Sequence, residues 1–305
     1  MSLSAALRTW RRHLKARLPF VRRREHAIVQ RKYQALIESL WAPVPRADSA
    51  QVVMLKPFDP DLCGEVCLFV SFAPTAALKP HVRGHVEHLL RSGLKVVLIV
   101  NTDLALDQIA LEPELVDRLS GVLVRQNLGF DFAAWAHALS LSPGSERWTR
   151  LFLINDSIVG PLDTIAFDRL MARIRSSTAD VLGLTRSADP PPHLQSFFLV
   201  FNQRALQSGL LQRECRRVVC LPTKALVIDV YEKGLTKWLS QQGLRCEAMF
   251  QSPVEDPLCA NATGLYWDVL IDAGFPYIKA SVLAQHHGSA RLRTRVPAEY
   301  RVPGA

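Results

Sequence analysis

The sequence has no apolar run near the roughly 18–20 residues that a membrane-spanning helix needs. Its longest strong runs are of strand length, such as Val96–Val100 and Leu151–Ile154. A secretory signal is not expected, because the apolar residues at the N-terminus are interleaved with arginines rather than gathered into one block. Cysteine is sparse: six in 305 residues (Cys63, Cys67, Cys215, Cys220, Cys246 and Cys259), no two of them in C-x2-C spacing. That excludes a disulfide scaffold and gives no zinc-ribbon or redox motif, so the thiols are expected to be reduced, either buried or incidental. Internal repeats are absent. Charge is modest, at 21% of residues against 49% hydrophobic. A chain with that much apolar mass is not disordered, and it is long enough for a large core.

What charge there is lies unevenly. The chain carries 37 basic and 28 acidic residues, a formal net charge of +9. Ten of the basic residues and one acid, Glu25, fall within the first 32 positions, which leaves 27 of each sign in the rest. The body is formally neutral, and it lacks the aromatic–basic interleaving of a nucleic-acid surface, so nucleic-acid binding is disfavoured. In the basic segment Leu3, Leu7, Trp10, Leu14 and Leu18 make one stripe at helical spacing, and Pro19 ends it. Such a basic amphipathic helix lies on an anionic membrane, stays solvated or packs on the protein's own body; an organellar transit peptide has the same composition. A second helix is expected over 26–41. Four prolines in 42–60 read as a linker, with a short strand at Gln51–Leu55. The expected organisation is a helical extension over 1–41, the linker over 42–60, a single α/β domain over 61–290 and a tail over 291–305.

Within that domain strands and helices alternate. Apolar strands are expected at Val66–Phe72, Lys95–Asn101, Gly121–Arg125 and Trp148–Ile154, separated by helices at His81–Arg91, Pro113–Leu119 and Phe130–Leu139. The second half is less regular, with strands at Asp180–Thr185, Ser196–Phe201 and Arg245–Phe250 and helices at Tyr231–Gln241 and Leu265–Ala273. Continuous apolar strands alternating with helices predict a mainly parallel, Rossmann-like sheet covered on both faces. Ligands of such sheets bind beyond the carboxyl ends of the strands. The polar residues there are therefore the ones to inspect: Asn101 and Asp103, Arg125 and Asn127, and Asn155, Asp156 and Ser157. A carboxylate at the end of a central strand can hold Mg²⁺ or Mn²⁺ against a diphosphate, or it can merely cap a turn. Gly129 permits a tight approach, and Asp131 stands at a helix start. His193 and Gln195 follow a proline run and share one face of a strand.

These motifs occur in a specific order. Arg125, Asn127, Gly129, Asp131 and Phe132 come first. Asn155-Asp156-Ser157 with Gly160-Pro161 follows, and then His193-Leu-Gln195-Ser-Phe-Phe198. Tyr231-Glu232, Trp267 and Gly274-Phe-Pro-Tyr-Ile-Lys279 close the series. In this order they resemble the rhamnan synthesis protein F family of bacterial polysaccharide glycosyltransferases. The resemblance implies a GT-A-like sheet and transfer of a sugar, such as rhamnose, from a nucleotide-sugar donor. The acceptor would be a lipid-linked or growing cell-surface polysaccharide, such as a lipopolysaccharide O-chain, at the inner face of the cytoplasmic membrane. It implies Glu232 as the base that deprotonates the acceptor, with His193 as the second candidate. Arg125, Asn127, Gly129, Asp131, Asn101, Asp103 and Gln195 would line the donor site. Asp156 and Asn155 stand where related transferases carry an Asp-x-Asp metal motif; one of its two acids is missing, which puts strict dependence on Mg²⁺ or Mn²⁺ in doubt. His286-His287 would offer a late metal ligand or form an ordinary surface pair. The missing acid also motivates the alternative of a non-catalytic GT-A-like subunit that binds glycan or scaffolds a polysaccharide assembly.

Overall fold

The computed structural model describes residues 44–142, 144–251 and 261–301. The expected helices of 1–41, and the basic segment of 1–32 within them, lie outside the described residues. In chain order β1 (Val52–Lys56) and β2 (Gly64–Ala73) precede helix α1 (Pro80–Arg91). Then come β3 (Lys95–Thr102), α2 (Pro113–Arg118), β4 (Gly121–Gln126), α3 (Phe130–Leu141) and β5 (Trp148–Asn155). A two-residue strand β6 (Ile158–Val159) leads to α4 (Thr164–Ser176), followed by β7 (Val181–Ser187), β8 (His193–Leu194), β9 (Phe198–Asn202), β10 (Cys246–Phe250) and β11 (Ile278–Lys279). The main sheet runs β1-β4-β3-β2-β5-β9-β7-β10, with β8 paired to β7. Strands β2 to β5 are mutually parallel; β9 runs antiparallel to both β5 and β7, and β10 runs parallel to β7. The protein is thus α/β with a mainly parallel sheet, as its alternating apolar runs predict.

The central strands are apolar throughout because both faces are covered. Along β2, Cys67 and Phe69 enter a core with Val82, Val86 and Leu89 of α1 and Phe167 and Leu170 of α4. Val66, Leu68 and Val70 face the other way, towards Ala133, Ala134 and Trp135 of α3. Helix α3 is buried continuously from Asp131 to Ala138, which is why its sequence has no polar face. Helix α4 has no counterpart among the expected elements. Its buried residues Phe167, Leu170, Met171 and Ile174 follow helical spacing, and the Asp163 carboxylate caps it by accepting from the Ile165 N–H at 2.9 Å.

The described part of 42–60 is bound into the body. β1 pairs antiparallel with β4, the Cys220 N–H donates to the Pro45 carbonyl at 2.7 Å, and Ala47 and Ala50 are buried. At the other end Leu292 and Val296 are buried beside Trp267 and Val282. Two motifs of the sequence also meet. β6, just after Asn155-Asp156-Ser157, pairs antiparallel with β11, which ends in Lys279. Gly160 lies at φ +147° in that junction, where a Cβ would stand 2.6 Å from the Pro276 carbonyl. Only glycine fits such a position.

Candidate functional site

A cleft of about 220 Å³ opens near the carboxyl ends of the strands. Four segments supply its functional side chains. Asp131 comes from the first turn of α3, Asn155 from the end of β5, His193 and Gln195 from β8 and the residue after it, and Glu232 from a long helical run. That run is helical from Lys224 to Gln241 but takes a π turn over Ile228–Glu232. Glu232 therefore ends a π turn inside a helix rather than opening one, and such turns frequently occur at functional sites.

Glu232 is the most tightly held group. Its Oε2 accepts from the Ser196 N–H at 3.0 Å and from the Ser196 hydroxyl. Its Oε1 lies 3.4 Å from His193 Nε2. The other imidazole nitrogen, Nδ1, is 2.8 Å from the Pro191 carbonyl, to which it donates. Burial pushes the Glu232 carboxyl up, but the bonds from His193 and Ser196 outweigh that effect and hold it below its ordinary value. Burial disfavours the His193 cation, yet Glu232 raises the imidazole above its ordinary value. The two form an ion pair in which each stabilises the other's charge.

Asp131 behaves oppositely. Its Oδ2 accepts from the Asn155 amide at 2.6 Å and its Oδ1 from the Phe132 N–H at 3.1 Å. Burial raises its carboxyl above the ordinary range against the pull of Lys224, and the Glu232 charge acts in the same direction as burial. Gln195 lies in a buried network: its Oε1 accepts from the Thr185 hydroxyl at 2.8 Å, and its Nε2 donates to Asn261 Oδ1 at 3.3 Å. Gly129 is not in the cleft but makes Asp131 possible. It caps α3 in the left-handed conformation, where a Cβ would lie 2.6 Å from both the Ala133 Cβ and the Cys220 Cα.

Several expected residues lie elsewhere. Arg125 is not free to meet a donor. Its guanidinium is buried under α3 and the 44–50 segment, donating to His137 Nδ1 at 3.3 Å, the Gln126 carbonyl at 3.0 Å and the Ala47 carbonyl at 3.1 Å. The sequence alone could not say that Arg125 leaves the sheet on the side that the 44–50 segment covers. Asn101 is buried at the end of β3, with its amide 3.4 Å from the Phe130 carbonyl. Asp103 is exposed and Asn127 half-buried, and neither lines the cleft.

Asp156 does not fit the role of metal ligand. Its Oδ2 accepts from the Ser71 hydroxyl at 3.0 Å, the Phe72 N–H at 2.9 Å and the Lys79 ammonium at 2.7 Å. That carboxylate ties β5 to β2 and α1, with a lysine already matched to its charge. The neighbouring Asn155 is also engaged: its Oδ1 accepts from the Ser157 N–H at 3.0 Å while its amide holds Asp131. Among the described residues no three His, Cys, Asp or Glu side chains converge on one point. Two lysines of the cleft, Lys224 and Lys279, had no role in the sequence reading. Lys279 closes the last expected motif, but nothing local in the sequence pairs it with β6.

The cleft, lined by carboxylates, a histidine and lysines, lies near the carboxyl ends of a mainly parallel sheet, where α/β proteins commonly bind their ligands. The sequence model of the rhamnan synthesis protein F family matches residues 96–297. The chain belongs to that family, as its ordered motifs indicated. It is 29% identical over 146 residues to the virulence protein VirA of Vibrio anguillarum, a match covering 46% of this chain and 46% of VirA. The chain thus spans about half the length of the curated relatives it matches. Among solved structures it is similar to a mannosyltransferase of Pyrobaculum calidifontis in complex with GDP-Man and Mn²⁺. That similarity has a TM-score of 0.39 and 12% identity and covers 80% of this chain and 69% of the other. Among the described residues no helix is long and apolar enough to cross a membrane.

Proposed function

We propose that the chain is a GT-A-like glycosyltransferase of polysaccharide synthesis that takes a nucleotide-sugar donor into this cleft. The observation that carries the reading is the convergence of Glu232, His193 and Asp131 from three separate segments on one polar cleft near the strand ends. In the proposed reaction an acceptor hydroxyl attacks the anomeric carbon of the donor. The new bond forms between the hydroxyl oxygen and that carbon. The bond from carbon to the diphosphate oxygen breaks, and its electron pair leaves with the nucleoside diphosphate. Glu232 takes the hydroxyl proton. The His193 cation and the Ser196 donors hold the carboxylate ionised and fix its orientation, so that it meets the hydroxyl in one geometry. Asp131, held by Asn155, and Gln195, held by Thr185, provide acceptors for the sugar or nucleoside hydroxyls.

Family membership supports a rhamnose-containing polymer as product, with a rhamnosyl donor as the first to be tried. The basic segment 1–32 supports work on a lipid-linked acceptor at the inner face of the cytoplasmic membrane. The test is a screen of nucleotide sugars against the purified full-length protein, read by nucleotide release with and without polysaccharide acceptor fragments. Release with at least one donor, rising on addition of acceptor, is expected. No release across UDP-, TDP- and GDP-linked sugars, with Mg²⁺ and Mn²⁺ present or absent, would overturn the assignment.

A further inference from the structure

The cations of the cleft are more telling than its acids. Lys279 is fixed by the antiparallel pair of β11 with β6, in register opposite Ile158, and by the Ala280 N–H donating to the Ser157 carbonyl at 2.9 Å. Its ammonium makes no ion pair among the described residues; it stands 5.4 Å from the Phe197 ring centre. Lys224 also lines the cleft, and its Nζ lies 3.4 Å from the Ser157 hydroxyl. The two lysines thus line one cleft without a carboxylate ion pair among the described residues. Meanwhile the acid that could have held a metal, Asp156, already has Lys79 as its partner.

An ammonium placed in a half-buried cleft without a counter-ion is disfavoured unless the anion arrives with the ligand. Burial brings Lys279 down from its ordinary value to about 8, with Glu232 pulling it up and Lys224 pushing it down. Among the described residues the other titratable groups of the cleft are Asp131 from α3, Asp189 after β7, His193 from β8 and Glu232. Glu232 is spoken for by His193, and the Asp189 carboxylate by Lys233 at 2.7 Å. The lysines therefore face an acid complement committed elsewhere, except for Asp131, which burial drives towards its neutral form.

Resting on the reading of the cleft as a nucleotide-sugar site, we propose that Lys279 and Lys224 form its diphosphate subsite, so that nucleoside diphosphate binds without a divalent cation. In transfer the two ammonium groups would keep their protons and offset the charge that develops on the leaving diphosphate oxygen, the task that a metal ion performs in other sites.

The test is calorimetric titration of the full-length protein with UDP, TDP and GDP in EDTA, and again with Mg²⁺ or Mn²⁺. Binding of at least one of them in EDTA is expected, changing less than about threefold when metal is added. Lys279→Met should weaken that binding at least tenfold, and Lys279→Arg should retain it. Between pH 7 and 9.5 the wild-type affinity should fall as Lys279 loses its proton, and Lys279→Arg should flatten that fall. Lys224→Met, on an exposed residue, gives a second variant should Lys279→Met fail to fold; it should weaken binding severalfold. Binding that appears only with metal would overturn the lysine subsite while leaving the transferase reading intact. Unchanged affinity in both lysine-to-methionine variants would do the same. Absence of binding under every condition would instead strike the nucleotide-sugar reading itself.

Discussion

A carboxylate accepts a proton only while it is ionised, and for Glu232 that state is secured by His193 and Ser196. The sign of the resulting pH dependence can be worked out for each partner. The Glu232 carboxyl lies below its ordinary value in the folded protein, so its contribution to stability is present above the unfolded value and is lost as pH falls through the folded one. The His193 imidazole lies above its ordinary value, so its contribution is present below the unfolded value and is lost as pH rises through the folded one. The contribution of the pair is full between the ordinary carboxyl value of 4.5 and the ordinary imidazole value of 6.5, and it declines on either side of that window. Glu232→Gln keeps the shape and removes the charge. Its melting temperature should trail the wild type most between those two ordinary values, and the gap should narrow as rising pH discharges the imidazole. A gap that does not vary with pH would mean that the pair is not ionic. The same variant should lose about 10²–10⁴ in turnover, the usual contribution of a positioned base, with nucleoside diphosphate affinity little changed. Turnover at the wild-type rate would remove Glu232 from the chemistry and leave Asp131, the carboxylate with the raised value, as the acceptor of the proton.

At the level of elements, the position of α3 depends on Gly129. A side chain there would adopt the left-handed conformation, costing about 1–2 kcal/mol. It would also enter the contact with Ala133 and the Cys220 backbone, overpacking that costs about 1–3 kcal/mol. Gly129→Ala should therefore lower the midpoint of chemical denaturation markedly, and any folded fraction should carry Asp131 displaced from Asn155. A midpoint equal to the wild type would show that α3 can shift without cost. The sequence exposes this element well: the glycine, the acid two residues on and the apolar helix after them are all local. The parallel strands were legible for the same reason, since burial on both faces writes a continuous apolar run. Pairing between distant segments was not legible. Nothing around Lys279 announces β6 as its partner. Nor does the motif around Arg125 reveal that residues 44–50, which read as linker, close over its guanidinium. Asp156 was illegible for a related reason. A strand-end acid has the same local pattern whether it faces a metal or a lysine, and the lysine that it meets here, Lys79, is 77 residues away in the chain.

For the whole molecule the question is where the charge excess acts. With 27 basic and 27 acidic residues beyond position 32, the body has no long-range attraction to a polyanion, and the surplus belongs to the first 32 residues. Each lysine or arginine near an anionic surface contributes about 1 kcal/mol within a Debye length, so ten of them are expected to favour peripheral binding more than the neutral body does. On the proposed function one part of the chain addresses a surface and another carries the cleft, and the two should separate experimentally. Deleting residues 1–32 should release the protein from vesicles containing phosphatidylglycerol, while its affinity for a nucleoside diphosphate, measured in the same buffer, stays within about twofold. Raising salt from 50 to 500 mM should mimic the deletion for the intact chain, because screening weakens an interaction that is mainly electrostatic. Vesicle binding that survives both the deletion and the salt would place the membrane contact on the body, and the exposed Val53, Met54 and Leu55 of the edge strand β1 would then be the next residues to replace.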